Sequence, residues 1–360
     1  MSVEKSLQRK QDHIDLCHTG DVGLVGDMGL FSDVRMIHQA LPELAMSDIQ
    51  LDTAFLDHSL KMPLMLTGMT GGPERAGEIN RSLAKLCQDN GMAFGLGSQR
   101  IMTADDSTID TFQVRQVAPD VCLLGNLGVN QVRDLGVDVT RQLFERTEAD
   151  YMAIHLNPAM ELIQPGAEAD SDFSYGFDTI ARAVDALDGK VVVKECGCGL
   201  SPSLVSRLVS LGVKAVDVSG VGGTSWVKLE ALRAMGEQAE LGLDFQDWGI
   251  PTAASTWGAA QVDGVMVIAS GGIYSGRTAA KAFALGADVA GFARPILQAY
   301  LDGGVDAAQS FVDGVARALK TAMALTGSKN LAMLRSTTLW IGPRLSQWQQ
   351  CLRHEVVRNG

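Results

Sequence analysis

The segment Val265-Met266-Val267-Ile268-Ala269-Ser270-Gly271-Gly272-Ile273 decides the fold of this chain. It is an apolar run of strand length that meets a glycine pair and opens into a helical pattern from Arg277 to Leu285. Glycine lacks a Cβ atom, so the backbone can turn sharply there and approach a ligand, and a helix start favours an anion. A second apolar run, Asp288 to Phe292, ends in Ala293-Arg294-Pro295. This order is typical of the last two units of a (β/α)₈ barrel, which form a phosphate site.

Short apolar runs of this kind recur along the chain and alternate with helical patterns. They begin at Met62, Ala93, Val121, Tyr151, Val191, Ala215, Val265 and Asp288. Fully apolar strands between helices indicate a parallel sheet buried on both faces, and about eight of them close a barrel. An open doubly wound sheet is the alternative, but the Gly-x-Gly-x-x-Gly motif that it needs does not follow the first run. A βαβ unit whose glycines serve only packing is a further alternative.

We therefore predict an α/β fold, a (β/α)₈ TIM barrel with N- and C-terminal extensions. The predicted segments are an N-terminal extension over residues 1–60, the barrel over 61–326 and a C-terminal extension over 327–360. The first 60 residues look irregular, and the charged stretch from Glu230 to Gly242 looks like a flexible excursion from the barrel.

Composition excludes several classes of function. The chain has 360 residues, 46% of them hydrophobic, and a formal net charge of -12. An acidic surface repels a phosphate backbone, so we expect no nucleic-acid partner. No apolar run approaches the roughly 20 residues that span a bilayer, and the N-terminus lacks a signal-peptide core, so we predict a cytoplasmic protein without a membrane partner. The six cysteines lack zinc-site spacing and are expected to be reduced thiols.

Polar residues follow nearly every apolar run at its C-terminal end. They are Thr67, Ser98, Arg100, Asn126, His155, Asn157, Lys194, Ser219, Thr224 and Arg294. In a barrel those strand ends converge on one rim, where active sites lie. The repeated placement predicts an active site on this rim.

Lys194 is an isolated cation at the end of an apolar strand. Such a lysine forms a Schiff base or pairs with an anion. A reduced flavin carries negative charge on its pyrimidine side, and Thr70, Ser98 and Asn126 are hydrogen-bonding groups suited to its ring edge. Aldolase chemistry through a Schiff base is the competing interpretation, but no second lysine or acid pair lies nearby in the sequence.

Three further groups are candidates for binding. Arg9-Lys10-Gln11-Asp12-His13 is either an anion clamp or a solvated N-terminal helix. His155 and Asn157 alternate on one side of an extended segment. Glu161 suits Mg²⁺, which binds through one carboxylate and substrate phosphates, although an exposed loop glutamate is the plainer interpretation. We expect solvated rather than metal-binding side chains at Glu168, Asp170 and Asp172.

Together these residues resemble the type 2 isopentenyl diphosphate isomerase family, the FMN-dependent isomerases of isoprenoid biosynthesis. The resemblance runs from Arg9 to about Pro295 and consists of separate motifs whose order and spacing agree with the family. The motifs are Arg9-Lys10-x-x-His13, Met69-Thr70-Gly71-Gly72, Gly97-Ser98-Gln99-Arg100, Gly125-Asn126, His155-Leu156-Asn157, Val193-Lys194-Glu195, Ser219-Gly220-x-Gly222-Gly223-Thr224, Ser270-Gly271-Gly272 and Ala293-Arg294.

The resemblance implies a flavoprotein barrel that catalyses a 1,3-proton shift between isopentenyl and dimethylallyl diphosphate. It implies FMN, Mg²⁺ and a reductant such as NADPH, and a homo-oligomer, a tetramer or larger. The implied FMN-binding residues are Gly68, Met69, Thr70, Ser98, Asn126, Lys194, Ser219, Thr224, Gly271, Gly272, Ala293 and Arg294. The implied substrate-binding residues are Arg9, Lys10, His13, Ser98, Gln99, Arg100 and Met160. The implied catalytic residues are His155, Asn157 and Lys194, and the implied metal ligand is Glu161.

One position departs from the family pattern. Met160 stands where the family has a glutamine directly before the metal-binding glutamate. A thioether has no proton to give and accepts hydrogen bonds poorly. The alternative is therefore a related FMN enzyme with altered chemistry or a different prenyl or phosphorylated substrate. A non-catalytic barrel that binds a nucleotide or diphosphate is a third possibility, which the polar rim disfavours.

Overall fold

The structure is a computed structural model that describes residues 3–165 and 170–358. Its strands are β1 (Val34–Met36), β2 (Thr53–Phe55), β3 (His58–Leu60), β4 (Leu64–Leu66), β5 (Ala93–Gly95), β6 (Leu123–Gly128), β7 (Tyr151–Leu156), β8 (Val191–Glu195), β9 (Ala215–Asp217), β10 (Met266–Ala269), β11 (Val289–Phe292) and β12 (Leu339–Ile341).

Strands β4 to β11 are parallel and form a closed barrel. Each pairs with the next in sequence, and β11 pairs with β4 to complete the ring. The apolar runs are buried because barrel side chains face either the interior or the surrounding helices. The predicted (β/α)₈ barrel is confirmed.

Helices surround the barrel and extend beyond it. They are α1 (Val3–Thr19), α2 (Glu74–Asn90), α3 (Val129–Leu135), α4 (Val137–Arg146), α5 (Pro158–Ile163), α6 (Gly176–Ala186), α7 (Pro202–Ser210), α8 (Trp226–Arg233), α9 (Glu237–Asp244), α10 (Thr252–Ala259), α11 (Gly276–Ala284), α12 (Arg294–Leu325), α13 (Leu331–Arg335) and α14 (Pro343–Arg358). Local sequence explains several helix starts. The Ser275 hydroxyl accepts the Thr278 amide at the start of α11, and Ser201 caps α7, where Pro202 occupies the first turn.

A hairpin closes the N-terminal end of the barrel. Strands β2 and β3 pair antiparallel, and Phe55 and Leu60 are buried among interior residues such as Met65 and Tyr151. Burying one such phenylalanine side chain stabilises the fold by about 1.5–3 kcal/mol. The hairpin leaves the C-terminal end of the barrel as the one that can receive a ligand.

The N-terminal segment is more regular than predicted. Residues 3–19 form the helix α1, and β1 pairs antiparallel with β12, which joins the N-terminal segment to the C-terminal one. The charged stretch from Glu230 to Gly242, predicted to be a flexible excursion, contributes to helices α8 and α9, which lie between β9 and α10 in the chain. The charged residues of this stretch suggested an exposed segment. Glu230 is nevertheless fully buried, and its carboxylate charge is stabilised by neighbouring side chains.

Among the described residues, no helix has the length and apolar character needed to cross a bilayer. All the cysteines are free thiols, as predicted, and Cys17, Cys87 and Cys122 are buried.

Candidate active site

A cavity of about 250 Å³ opens at the C-terminal end of the barrel. Its walls come from the ends of the barrel strands, the loops that follow them and the helix α1. Of the residues predicted for the site, all but Gln99 line this cavity. The strand ends converge as a barrel requires, and the sequence motifs separated by up to about 285 positions meet in one place.

The glycine pair forms one wall of the cavity. Gly271 and Gly272 have φ of 94° and 83°, a region that favours glycine, and a Cβ on either would lie within 2.6 Å of a backbone oxygen of the neighbouring loop. Helix α12 begins beside this wall at Arg294 and has no side-chain cap. Its free amide groups make this corner suitable for a phosphate.

The phosphate corner differs from the sequence prediction in two details. The helix after the glycine pair, α11, is capped by the Ser275 hydroxyl, so the uncapped start of α12, rather than the start of α11, is the one suited to a phosphate here. The guanidinium of Arg294 donates to the carbonyl oxygens of Cys17 at 3.0 Å and Gly20 at 2.9 Å. Arg294 therefore fastens the end of α1 to the barrel as well as lining the cavity.

Lys194 lies at the end of β8, beside Asp217 of β9 in the strand register. Its ammonium group donates to the Glu195 carbonyl oxygen at 2.5 Å. Burial opposes the positive charge, but the acidic groups of Cys196 and Asp217 outweigh it and raise the pKa of Lys194 above its ordinary value. The lysine is thus a cation in the cavity wall. This position suits the charged-partner role for Lys194 better than a Schiff base, which requires a neutral amine.

His155 lies at the end of β7, and its Nδ1 is 2.8 Å from the side-chain oxygen of Asn126. Burial, followed by the nearby charges of Lys194 and Lys10, lowers the pKa of His155 to about 3. The ring is therefore neutral at physiological pH.

Helix α1 brings cations to the cavity. Arg9 donates to the side-chain oxygen of Gln164 at 3.3 Å, and Lys10 donates to the Ser98 carbonyl oxygen at 2.9 Å. Burial, followed by the charges of Arg9 and Arg100, lowers the pKa of Lys10 to about 7. Like charges held together in this way favour an anionic ligand between them. Residues 9–13 thus lie in a helix at the cavity.

A buried cluster holds α1 against α8. His13 Nε2 is 2.9 Å from a carboxylate oxygen of Glu230, which also pairs with Arg233, and the His13 ring packs edge-on against Trp226. Burial disfavours the charge of Glu230, but the hydrogen bond from His13 outweighs it and lowers the carboxyl pKa. Neither Glu230 nor Trp226 was predicted as a site residue. Trp226 follows the Ser219–Thr224 motif almost directly, whereas nothing local marks Glu230.

Glu161 is 4% exposed and faces the cavity from α5. Its carboxylate accepts hydrogen bonds from the Asn157 side chain at 2.8 Å and the Asp170 amide at 3.3 Å. Burial raises its pKa. Met160 lies beside Glu161, and its sulfur is 3.8 Å from the side-chain nitrogen of Asn157. A single buried carboxylate in a cationic cavity fits Mg²⁺ shared with a phosphate ligand. The predicted solvated residue Glu168 lies outside the described residues.

Gln99 is the predicted site residue that does not reach the cavity. Its side chain is 0% exposed and donates to the Leu143 carbonyl oxygen and the Thr147 hydroxyl. Its oxygen accepts the backbone amide of Asn126 at 2.8 Å. This placement argues against the predicted contact between the Gln99 side chain and a substrate.

Another group of metal-ligating side chains lies outside this cavity, near the closing hairpin. His58, Cys122 and Asp150 approach one another within 4.8 Å. The Asp150 carboxylate is already bound by Arg115 at 2.9 Å and the Leu123 amide at 2.8 Å. The arginine charge disfavours a cation there, so we interpret the group as structural.

Comparison with known proteins defines the class first. Residues 141–341 match the FMN-dependent dehydrogenase family. The fold is similar to a lactate oxidase of Pediococcus acidilactici, with a TM-score of 0.65 and 17% identity over 95% of this chain and 94% of that chain. It is also similar to a mandelate oxidase variant solved with an FMN adduct, with a TM-score of 0.61 and 16% identity over 94% of this chain and 100% of that chain. The chain is thus a barrel of the FMN-dependent dehydrogenase class.

Full-length relatives narrow this class. The isopentenyl-diphosphate delta-isomerase of Pyrococcus abyssi is 40% identical over 354 residues, covering 96% of this chain and 95% of the relative. The enzyme of the same name from Nostoc sp. is 40% identical over 334 residues, covering 92% and 95%. The chain belongs to the isopentenyl-diphosphate delta-isomerase family.

Proposed function

We propose that this chain is an FMN-dependent isomerase that interconverts isopentenyl and dimethylallyl diphosphate by a 1,3-proton shift. The observation that carries the proposal is that one cavity holds two anion-binding groups of residues. The first is Lys194 with the glycine pair and the start of α12, and the second is Arg9, Lys10 and Arg100. FMN, through its phosphate and the negative charge of its reduced ring, matches the first group, and a substrate diphosphate matches the second.

The residues present fit FMN. The uncapped start of α12 suits the single phosphate, and the Lys194 cation suits the pyrimidine side of the ring. We propose that FMN is bound by Gly68, Met69, Thr70, Ser98, Asn126, Lys194, Ser219, Thr224, Gly271, Gly272, Ala293 and Arg294. When bound and reduced, FMN supplies the acid–base group at the substrate double bond. NADPH is the proposed reductant.

The second group of residues suits the substrate. We propose that Arg9, Lys10 and Arg100 neutralise the diphosphate, with Glu161 holding a Mg²⁺ that the diphosphate shares. His155 and Asn157 remain proposed catalytic residues, and His13, Ser98 and Met160 remain proposed substrate contacts. Helix α1 and the Trp226 ring line the cavity, and we propose that they help to keep water from a cation-like transition state at the double bond.

Proton NMR of isopentenyl diphosphate in deuterated buffer tests the function directly. With FMN, Mg²⁺ and a chemical reductant, we expect deuterium to enter the substrate and signals of dimethylallyl diphosphate to appear. A Lys194→Met variant that still binds FMN is the control and is expected to be inactive. Absence of exchange in a parent protein that holds reduced FMN would contradict the proposal.

We also propose four properties of the protein from its sequence. They are a requirement for NADPH, a cytoplasmic location, assembly into a tetramer or larger oligomer, and a division into residues 1–60, 61–326 and 327–360. The alternative drawn from Met160, a different substrate or chemistry, is not favoured by relatives that carry the isomerase name. We propose that Met160 affects rate only. A Met160→Gln variant with a changed substrate preference would contradict this.

A further inference from the structure

Strand β6 extends beyond its neighbour β5 on the way to the cavity. Strand β5 ends at Gly95, which is opposite Leu124, whereas β6 continues to residue 128. The backbone N–H of Asn126 therefore has no hydrogen-bond partner in the neighbouring strand β5. The side chain of Gln99 fills that place, because its amide oxygen accepts the Asn126 N–H at 2.8 Å. A side-chain amide thus replaces the missing strand at this position.

The far end of the Gln99 side chain is also fixed. Its nitrogen donates to the Leu143 carbonyl oxygen at 3.2 Å and to the Thr147 hydroxyl at 3.1 Å. A carbonyl oxygen can only accept, so the amide cannot be reversed. Gly125 leaves space for this arrangement, because a Cβ there would lie 2.8 Å from the Gln99 oxygen. Gln99 therefore sets the position of Asn126 rather than contacting a ligand.

The direction of the hydrogen bonds also shows which ring nitrogen of His155 carries the proton. The Asn126 side-chain nitrogen donates to the Leu96 carbonyl oxygen at 3.0 Å, so the Asn126 oxygen is the atom that faces His155 Nδ1 at 2.8 Å. An amide oxygen only accepts, so Nδ1 carries the hydrogen. Burial lowers the pKa of His155 to about 3, so no second proton is bound near neutral pH. Nε2 is left with a lone pair.

We propose that Gln99 is a positioning residue that, through Asn126, holds His155, which lines the cavity, in the neutral Nδ1–H tautomer and makes Nε2 a hydrogen-bond acceptor. The proposal rests on the proposed function only in naming the ligand as a prenyl diphosphate. The cations and His155 then have separate roles in the site. The cations Arg9, Lys10 and Arg100 neutralise the charge of the phosphates, while His155 accepts a hydrogen bond from a water.

Nuclear magnetic resonance of the FMN-loaded protein, labelled with ¹⁵N in histidine, tests this tautomer without substrate. Two-bond ¹H–¹⁵N correlations distinguish a ring nitrogen that carries hydrogen from one that does not, and a His155→Gln variant assigns the signal. We expect a single Nδ1–H tautomer from about pH 6 to about pH 8. An Nε2–H tautomer, or an imidazolium in that range, would overturn the proposal. This result does not depend on isomerase activity, so it stands apart from a failure of the proposed function.

Variants then test the role of Gln99. Gln99→Met removes its hydrogen bonds and is expected to give mixed His155 tautomers and at least a tenfold lower kcat. Thr147→Val is the matched control, since it alters the same buried cluster but keeps the Gln99–Asn126 bond, and we expect the parent tautomer and kcat within threefold. Should Gln99→Met not fold, Gly125→Ala displaces the Gln99 oxygen instead and is expected to mix the tautomers likewise. A folded Gln99→Met or Gly125→Ala protein with the parent tautomer contradicts the proposal, whatever its activity.

Discussion

Anion affinity should depend on pH through Lys10. Burial and the neighbouring charges of Arg9 and Arg100 lower its pKa to about 7. A bound diphosphate favours the charged lysine and returns its pKa towards the ordinary value. Binding at neutral pH therefore takes up a proton, and affinity is lost as pH rises through about 7.

The magnitude follows from the fraction of Lys10 that is charged. With a pKa of about 7, that fraction falls from about nine-tenths at pH 6 to about one-tenth at pH 8. The lysine contribution to affinity for inorganic diphosphate should therefore fall about tenfold between these pH values. At pH 7, about half a proton per site should be taken up by Lys10 on binding.

Calorimetric titration of the FMN-loaded protein with inorganic diphosphate, in buffers of different ionisation enthalpy, measures both quantities. Lys10→Arg is the matched control, because an arginine stays charged throughout this range. Ionisation of the ligand itself affects both proteins equally, so the difference between them isolates Lys10. Parallel pH profiles in the parent and Lys10→Arg would refute the reasoning, since they would mean that the lysine is fully charged at pH 8.

Three other perturbations have definite expected outcomes. Gly272→Ala, at φ 83°, should cost about 1–2 kcal/mol in urea unfolding and weaken FMN retention measured by flavin fluorescence, whereas Gly314→Ala, with open space around it, should not destabilise. Glu230→Ala removes the buried carboxylate that hydrogen-bonds to His13 and pairs with the charged Arg233, and it should cost about 3 kcal/mol in urea unfolding; a loss below about 1 kcal/mol would contradict a buried Glu230–Arg233 ion pair. Lys194→Met should weaken sulfite addition to the bound flavin at least tenfold by absorbance, because the adduct places negative charge on the pyrimidine side; unchanged affinity would move the flavin away from Lys194.

The barrel was predictable because its strands are short and buried on both faces, so hydrophobicity alone marks them. The same signal fails at the strand ends. Strand β6 continues through Asn126 and β7 through His155, beyond the apolar runs that predicted them. The polar rim residues still form backbone hydrogen bonds with the neighbouring strands, but their side chains face the cavity and are therefore polar. Hydrophobicity consequently does not show where strand pairing stops.

The parts that the sequence did not predict depend on distant partners. Glu230 lies in a segment whose composition is typical of a surface helix. Its burial depends on His13, which lies 217 positions away in the sequence. Gln99 illustrates a different limit. Its place in a rim motif predicts proximity to the site, but the side chain turns away and pairs with the backbone N–H of Asn126, because β5 ends too early to do so. A pattern therefore locates a residue on the rim without showing which group it binds.

The distribution of charge explains why helix α1 is part of the site. The chain carries a net charge of -12, so its long-range field repels an anionic ligand rather than steering it. Salt screens that field over about 8 Å at physiological ionic strength, and affinity must then come from contacts inside the cavity. Arg9 and Lys10, the proposed anion contacts, lie at the cavity only while α1 stays in place, held by the His13–Glu230 pair along its length and by Arg294 at its end. We therefore expect the residues that fasten α1 to affect anion binding as much as the cations that it carries.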